Sequence, residues 1–97
     1  MIPVPCEASR NGYHVAKIPE GEFGQFSKLQ EEFAELTDAV AQGNKVMALI
    51  EMADLLGAMQ GYLEQTYRGT VVLDDLLIMA EATNRAFRSG QRKPKGA

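Results

Sequence analysis

The sequence predicts an all-α fold, a helical bundle of about three main helices per chain behind an irregular N-terminal arm. Two observations carry this. Apolar residues recur at three- and four-residue spacing over residues 22–42, 45–67 and 74–89, and Gly43-Asn44 and Arg68-Gly69-Thr70 interrupt that period where chain reversals are needed. Residues 1–21 lack the period and hold three of the four prolines, together with the turn-forming pair Asn11-Gly12. Within this arm Tyr13 to Ile18 fits a short extended segment that packs on the domain or on a partner chain.

The first helix is expected from about Glu22 to Gln42, with Phe23, Phe26, Leu29, Phe33, Leu36 and Val40 as its core stripe and Gly43 at C′. Lys28, Glu32 and Glu35 occupy one flank of that stripe, with Glu31 just beyond. The second helix, Lys45 to Tyr67 with Asn44 as N-cap, is apolar nearly all round. Val46, Leu49, Ala53, Leu56 and Leu63 cover one side, and Met47, Ile50, Leu55, Ala58 and Tyr62 the other. A helix of this kind belongs at the centre of an assembly, and at least a dimer is expected, with Gly57 and Gly61 permitting close approach of another helix. The third helix is expected from Asp74 to Ser89, its apolar face formed by Leu73, Leu76, Leu77, Ala80 and Phe87. Asp74 and Asp75 suit its start, and Arg85 and Arg88 its last turn. The domain thus spans 22–90, and the basic tail 91–97 reads as disordered.

A chain of 97 residues suits one small domain, which buries only a modest share of its surface alone. Its net charge of −3 and pI near 5.1 argue against binding a nucleic acid polymer. The basic residues are nonetheless concentrated at the end, where Arg85, Arg88, Arg92, Lys93 and Lys95 fall in the last thirteen positions. One cysteine, Cys6, and one histidine, His14, cannot build a structural Cys/His zinc site, and Cys6 reads as a free thiol. With neither a leader-like start nor an apolar run of membrane-span length, the expected setting is cytoplasmic.

The chemistry is concentrated in two acidic groups, Glu31-Glu32-x-x-Glu35 and Glu51-x-x-Asp54. Glu35 and Glu32 lie eight and eleven residues before Gly43, and Glu51 and Asp54 eight and eleven after it. A reversal at Gly43 therefore sets the acids of one helix level with those of the other, roughly 12 to 16 Å from the turn. Glu51 and Asp54 are set among Met47, Ile50, Ala58 and Tyr62, where an unpaired carboxylate costs several kcal/mol or takes up a proton. No basic residue lies between Lys45 and Arg68 on that helix to compensate them. An all-carboxylate set suits Mg²⁺, with Mn²⁺ the other candidate, and such ions keep positions open for water and phosphate oxygens. Lys28, Asn84, Arg85 and Arg88 are the candidates for meeting those phosphates. The rival reading is a non-catalytic interaction module whose acidic patch binds a basic partner protein, but a patch of that kind belongs on a solvated stripe.

These motifs, in the settings Ser27-Lys28-Leu29-Gln30-Glu31-Glu32, Met47-Ala48-Leu49-Ile50-Glu51 and Arg85-Ala86-Phe87, resemble the MazG-like all-α nucleoside triphosphate pyrophosphohydrolases. That group also includes phosphoribosyl-ATP pyrophosphohydrolase, and the likeness, closest to short stand-alone members of phages and bacteria, covers roughly Phe26 to Arg92. It implies a bundle completed by dimerisation into a four-helix-type core, sometimes as a dimer of dimers, with Mg²⁺ held by Glu32, Glu35, Glu51 and Asp54. Glu31 and Glu35 are the acids it assigns to catalysis, Glu31 serving a second ion or orienting the attacking water. The implied reaction splits a nucleoside triphosphate into monophosphate and pyrophosphate. The third helix lacks the lysine that many members carry, which leaves the nucleotide open among canonical or damaged triphosphates, dUTP, dCTP, a guanosine alarmone and phosphoribosyl-ATP.

Overall fold

Residues 13–90 are described by the computed structural model of the chain, and among them three helices and no strand occur: α1 (Phe26–Ala41), α2 (Lys45–Tyr67) and α3 (Leu73–Arg88). The all-α class read from the sequence is thus the observed one. The tail expected to be disordered, and Cys6, lie outside the described residues.

α1 starts four residues later than its apolar spacing suggests. Gly24 adopts φ 89°, the Gln25 amide donates to the Glu22 carbonyl at 3.0 Å, and the Glu22 amide donates to Ser27 Oγ at 3.1 Å. Residues 22–25 therefore form a turn, for which glycine supplies the left-handed backbone. That turn removes Phe23 from the α1 stripe and lays its ring against Gly61, where a Cβ would collide with it. Gly61 admits an aromatic ring from the same chain, a different role from the helix contact expected of it. Gly57 remains open.

The α1–α2 reversal follows the sequence closely. Gly43 has φ 69° after the C-cap Gln42, and the Asn44 side chain accepts from the Met47 amide at 3.0 Å. At the far end of α2, Arg68 and Gly69 take positive φ in succession, and Asp75 then accepts from the Val72 amide at 2.9 Å to open α3. Gly90, at φ 78°, follows its last turn.

Packing departs from expectation. The buried apolar residues among those described are Ala39, Met47, Ala48, Ala58 and Leu63, with Leu36 packed against the first three. On α1 the side turned toward α2 carries Glu32, Glu35, Leu36 and Ala39. Phe33 lies roughly 100° further round the helix and is 61% exposed. Of the expected stripe only Leu29 and Leu36 are half-buried; Phe23, Phe26, Phe33 and Val40 are exposed. The reason is geometric, because a two-helix hairpin has one contact seam and here the acids occupy it. On α2 the side bearing Met47, Leu55, Ala58 and Tyr62 meets α1, while Val46, Leu49, Met52 and Leu56 face outward. α3 buries no residue, touches only α2, and does not contact α1.

By length and composition α2 could cross a membrane, its 18-residue window reaching a mean hydropathy of 1.2. This corrects the expectation that no run approaches a span. Glu51 and Asp54 lie within the helix, however, and an ionised acid at mid-bilayer depth costs about 3 kcal/mol; in the folded chain Asp54 is exposed to water and Glu51 accepts from the Tyr13 hydroxyl.

Candidate metal centre

Four carboxylates converge where α1 and α2 lie side by side. Glu32, Glu35, Glu51 and Asp54 each offer an oxygen, and these four atoms lie within 4.8 Å of one another. The equal offsets from Gly43 place them so. Burial is uneven: Glu51 is 1% exposed and Glu32 6%, whereas Glu35 is half-buried and Asp54 exposed. The expectation that Glu51 and Asp54 share a buried apolar face therefore holds for Glu51 alone. Asp54 lies on the rim.

The N-terminal arm closes one side of this cluster. The Tyr13 hydroxyl donates to Glu51 Oε1 at 2.7 Å. His14 is inserted beside it, with Nδ1 2.8 Å from Asp38 Oδ2 and Nε2 3.3 Å from Glu51 Oε1 and 3.7 Å from Glu35 Oε2. Asp38 fastens the arm: it also accepts from the Val15 and Ala16 amides, each at 3.0 Å, and from Gln42 Nε2 at 2.8 Å. Further along, the Gly21 amide donates to Glu31 Oε1 at 2.8 Å. Lys28 Nζ lies 3.0 Å from that same oxygen and 3.2 Å from Glu32 Oε1.

These contacts set the ionisation of the site. Desolvation, followed by a hydrogen bond with Glu51 and repulsion from Glu32 and Glu51, pushes Glu35 up to about 9, so this acid holds a proton at neutral pH. Burial opposes the charge on Asp38, but the bonds from His14, Ala16, Gln42 and Val15 outweigh it and hold Asp38 down to about 2. The bond to Glu51, with burial, pushes the Tyr13 phenol up to about 12. Burial likewise works against the Lys28 ammonium, yet its bonds to Glu31 and Glu32 raise it above its ordinary value. Burial also opposes the charge on Glu31, which the Gly21 amide and Lys28 nevertheless keep lowered.

One feature of the donor set fits a bound cation. Glu32 Oε2 and Glu51 Oε2 are both buried without a hydrogen-bond partner, and an orphaned carboxylate oxygen in a seam is costly. Four hard oxygens from four side chains at this spacing suit a divalent ion.

The remaining expected residues fall elsewhere. Glu31 lies outside the convergent four, its Oε1 engaged by the arm and by Lys28. Lys28 is turned onto Glu31 and Glu32 at the edge of the cluster. Asn84, Arg85 and Arg88 are exposed on α3, and Arg85 pairs with Glu81 at 3.8 Å within its own helix. Sequence reasoning did not single out Tyr13, His14 or Asp38 for the site. The signal for Asp38 was its spacing, because Glu32, Glu35 and Asp38 recur every third residue along α1. Comparison with family models, with curated proteins and with solved structures finds no match to this chain.

Proposed function

We propose that this chain is a divalent-cation-dependent nucleotide pyrophosphohydrolase of the MazG-like kind. The observation that carries the reading is the pair of buried, unpartnered carboxylate oxygens on Glu32 and Glu51, within a cluster that Glu35 and Asp54 complete. Glu32, Glu35, Glu51 and Asp54 would hold Mg²⁺ or Mn²⁺. When bound, such an ion neutralises phosphate charge and makes a nearby water a better nucleophile. The water oxygen would add to phosphorus as the bond from that phosphorus to the α–β bridging oxygen breaks, the water's proton passing to a nearby carboxylate and on to solvent, and the products are a monophosphate and pyrophosphate. Glu35, protonated in the metal-free chain, would release that proton on serving as a ligand. Glu31, beside the cluster, is the residue to orient the water, exchanging one of its present donors for it. Lys28, 3.2 Å from Glu32, is placed to meet a phosphate oxygen at the edge of the site.

The enzyme is proposed to act as a homodimer or dimer of dimers. Val46 is 73% exposed and Leu49 64% exposed on the outward side of α2, with Phe33 and Val40 exposed on α1, and apolar surface of that extent favours a covering partner. Asn84, Arg85 and Arg88 enter the reading through assembly, because within one chain α3 does not touch α1.

The test is a nucleotide panel scored for pyrophosphate release with Mg²⁺ and with Mn²⁺. Release from at least one nucleotide, abolished by chelation and restored by the ion, supports the reading. No release from any nucleotide, together with capture of a basic protein that survives chelation, would favour the interaction-module alternative.

A further inference from the structure

The imidazole of His14 is 6% exposed and sits in a ring of carboxylates, with Asp38 on one nitrogen and Glu35 and Glu51 on the other. Asp38 accepts from three other donors, the Val15 and Ala16 amides and Gln42 Nε2, and as a carboxylate it takes the His14 Nδ1–H as well. This leaves Nε2 aimed at Glu51 Oε1 and Glu35 Oε2. These three atoms fall within 4.8 Å of one another. Two ligand atoms each about 2.0–2.2 Å from a common ion and at right angles or wider are about 3 Å or more apart, as the 3.3 and 3.7 Å separations are. A histidine that gives its second N–H to a carboxylate is also the usual arrangement of a metal-bound imidazole.

We infer that His14 supplies a nitrogen ligand to the cation shared with Glu35 and Glu51, so that the site selects Mn²⁺ or Co²⁺ over Mg²⁺. The inference rests on the cation reading of the carboxylate cluster given above and adds to it a ligand from the arm. Imidazole suits the first-row transition ions, while Mg²⁺ prefers oxygen and keeps its waters. The arm then belongs to the site, and Asp38 is its positioning residue.

The test is Mn²⁺ bound to the full-length, tag-free protein and followed by pulsed electron paramagnetic resonance for coupling to ¹⁴N. Because His14 is the only histidine in the chain, an imidazole coupling can come from no other residue. The expected result is such a coupling in the parent and its loss in His14→Gln, with the preference for Mn²⁺ over Mg²⁺ falling about tenfold. Asp38→Asn should retain the coupling while weakening Mn²⁺ by about 10- to 100-fold. Mn²⁺ that binds with no nitrogen coupling in the parent overturns the role of His14 and leaves the carboxylate site standing. Tighter Mn²⁺ binding by His14→Gln shows the imidazole competing with the ion, which also overturns it. If none of Mn²⁺, Co²⁺ and Mg²⁺ binds, the cation reading itself falls. Should His14→Gln fail to fold, the coupling in the parent decides alone.

Discussion

Between α1 and α2 the buried side chains include Glu32 and Glu51, whereas the outward side of α2 presents Val46, Leu49, Met52 and Leu56 to solvent. In an ordinary amphipathic hairpin the two would be exchanged. Apolar burial contributes about 25 cal/mol per Å², and each close pair of ionised carboxylates opposes packing by about 1 to 4 kcal/mol. A single chain arranged in this way leaves both regions unsatisfied. The difference teaches that they call for complements of opposite kinds, positive charge in the seam and apolar surface outside it.

The largest effect on the seam is expected from Glu51→Gln. The amide keeps the shape and can still accept from Tyr13, but it is a poor ligand. The proposed pyrophosphohydrolase activity should fall by orders of magnitude, while the metal-free protein melts no lower than the parent because one charge has left the seam. Full activity, or a metal-free stability lower by several kcal/mol, would make Glu51 a structural hydrogen-bonding group.

For the outer half, Leu49→Glu places a charge in the exposed apolar side of α2. Light scattering should find the parent as a dimer or larger at micromolar concentration and the variant near the chain mass of 10.6 kDa. A parent that is already a stable monomer removes the need for an apolar complement.

The seam can also be tested by pH. Glu35 is raised from 4.5 to about 9 in the folded chain, so between those values the native state holds a proton that the unfolded state has released. The stability linked to it is fully present below about 4.5 and is lost as pH rises toward 9. In chelator, thermal melting should therefore drop from pH 6 to pH 8.5, and saturating Mn²⁺ should flatten or reverse that trend. Calorimetry at pH 7 in two buffers of different ionisation enthalpy should show release of about one proton per chain on cation binding. A melting temperature that rises with pH in chelator would contradict the protonation assigned to Glu35.

The smallest effect is expected far from both regions. Asn44→Ala removes the α2 cap and should cost about 1 kcal/mol without altering cation affinity. A change in affinity would mean that the reversal itself sets the register of the four acids.

The elements and the four-acid cluster were legible because both depend on local signals. Gly43 and Asn44 mark the reversal, the apolar period marks the helices, and equal offsets from the turn set the acids level. The facing of α1 was not legible from the period alone. A stripe of Phe26, Phe33 and Val40 states that something apolar will cover it, and cannot state whether that is α2 or another surface. Gly24 broke the period one turn early for a similar reason, since glycine within a helical pattern is tolerated and its left-handed φ is imposed by the Glu22–Gln25 turn. Tyr13 and His14 were missed because the arm reaches the site over long separations, Tyr13 to Glu51 across 38 residues and His14 across 24 to Asp38, a carboxylate on α1 that reads as an ordinary surface acid.

The three-residue reversal at 42–44 also bears on how the chain acquires its structure. Closing so short a connection costs little entropy and takes well under a microsecond, and contacts between neighbouring helices favour rapid folding. Chain entropy therefore does not limit the docking of α1 on α2. What opposes that docking is the approach of like-charged carboxylates, so a proton on Glu35 or a divalent ion that neutralises them should favour it.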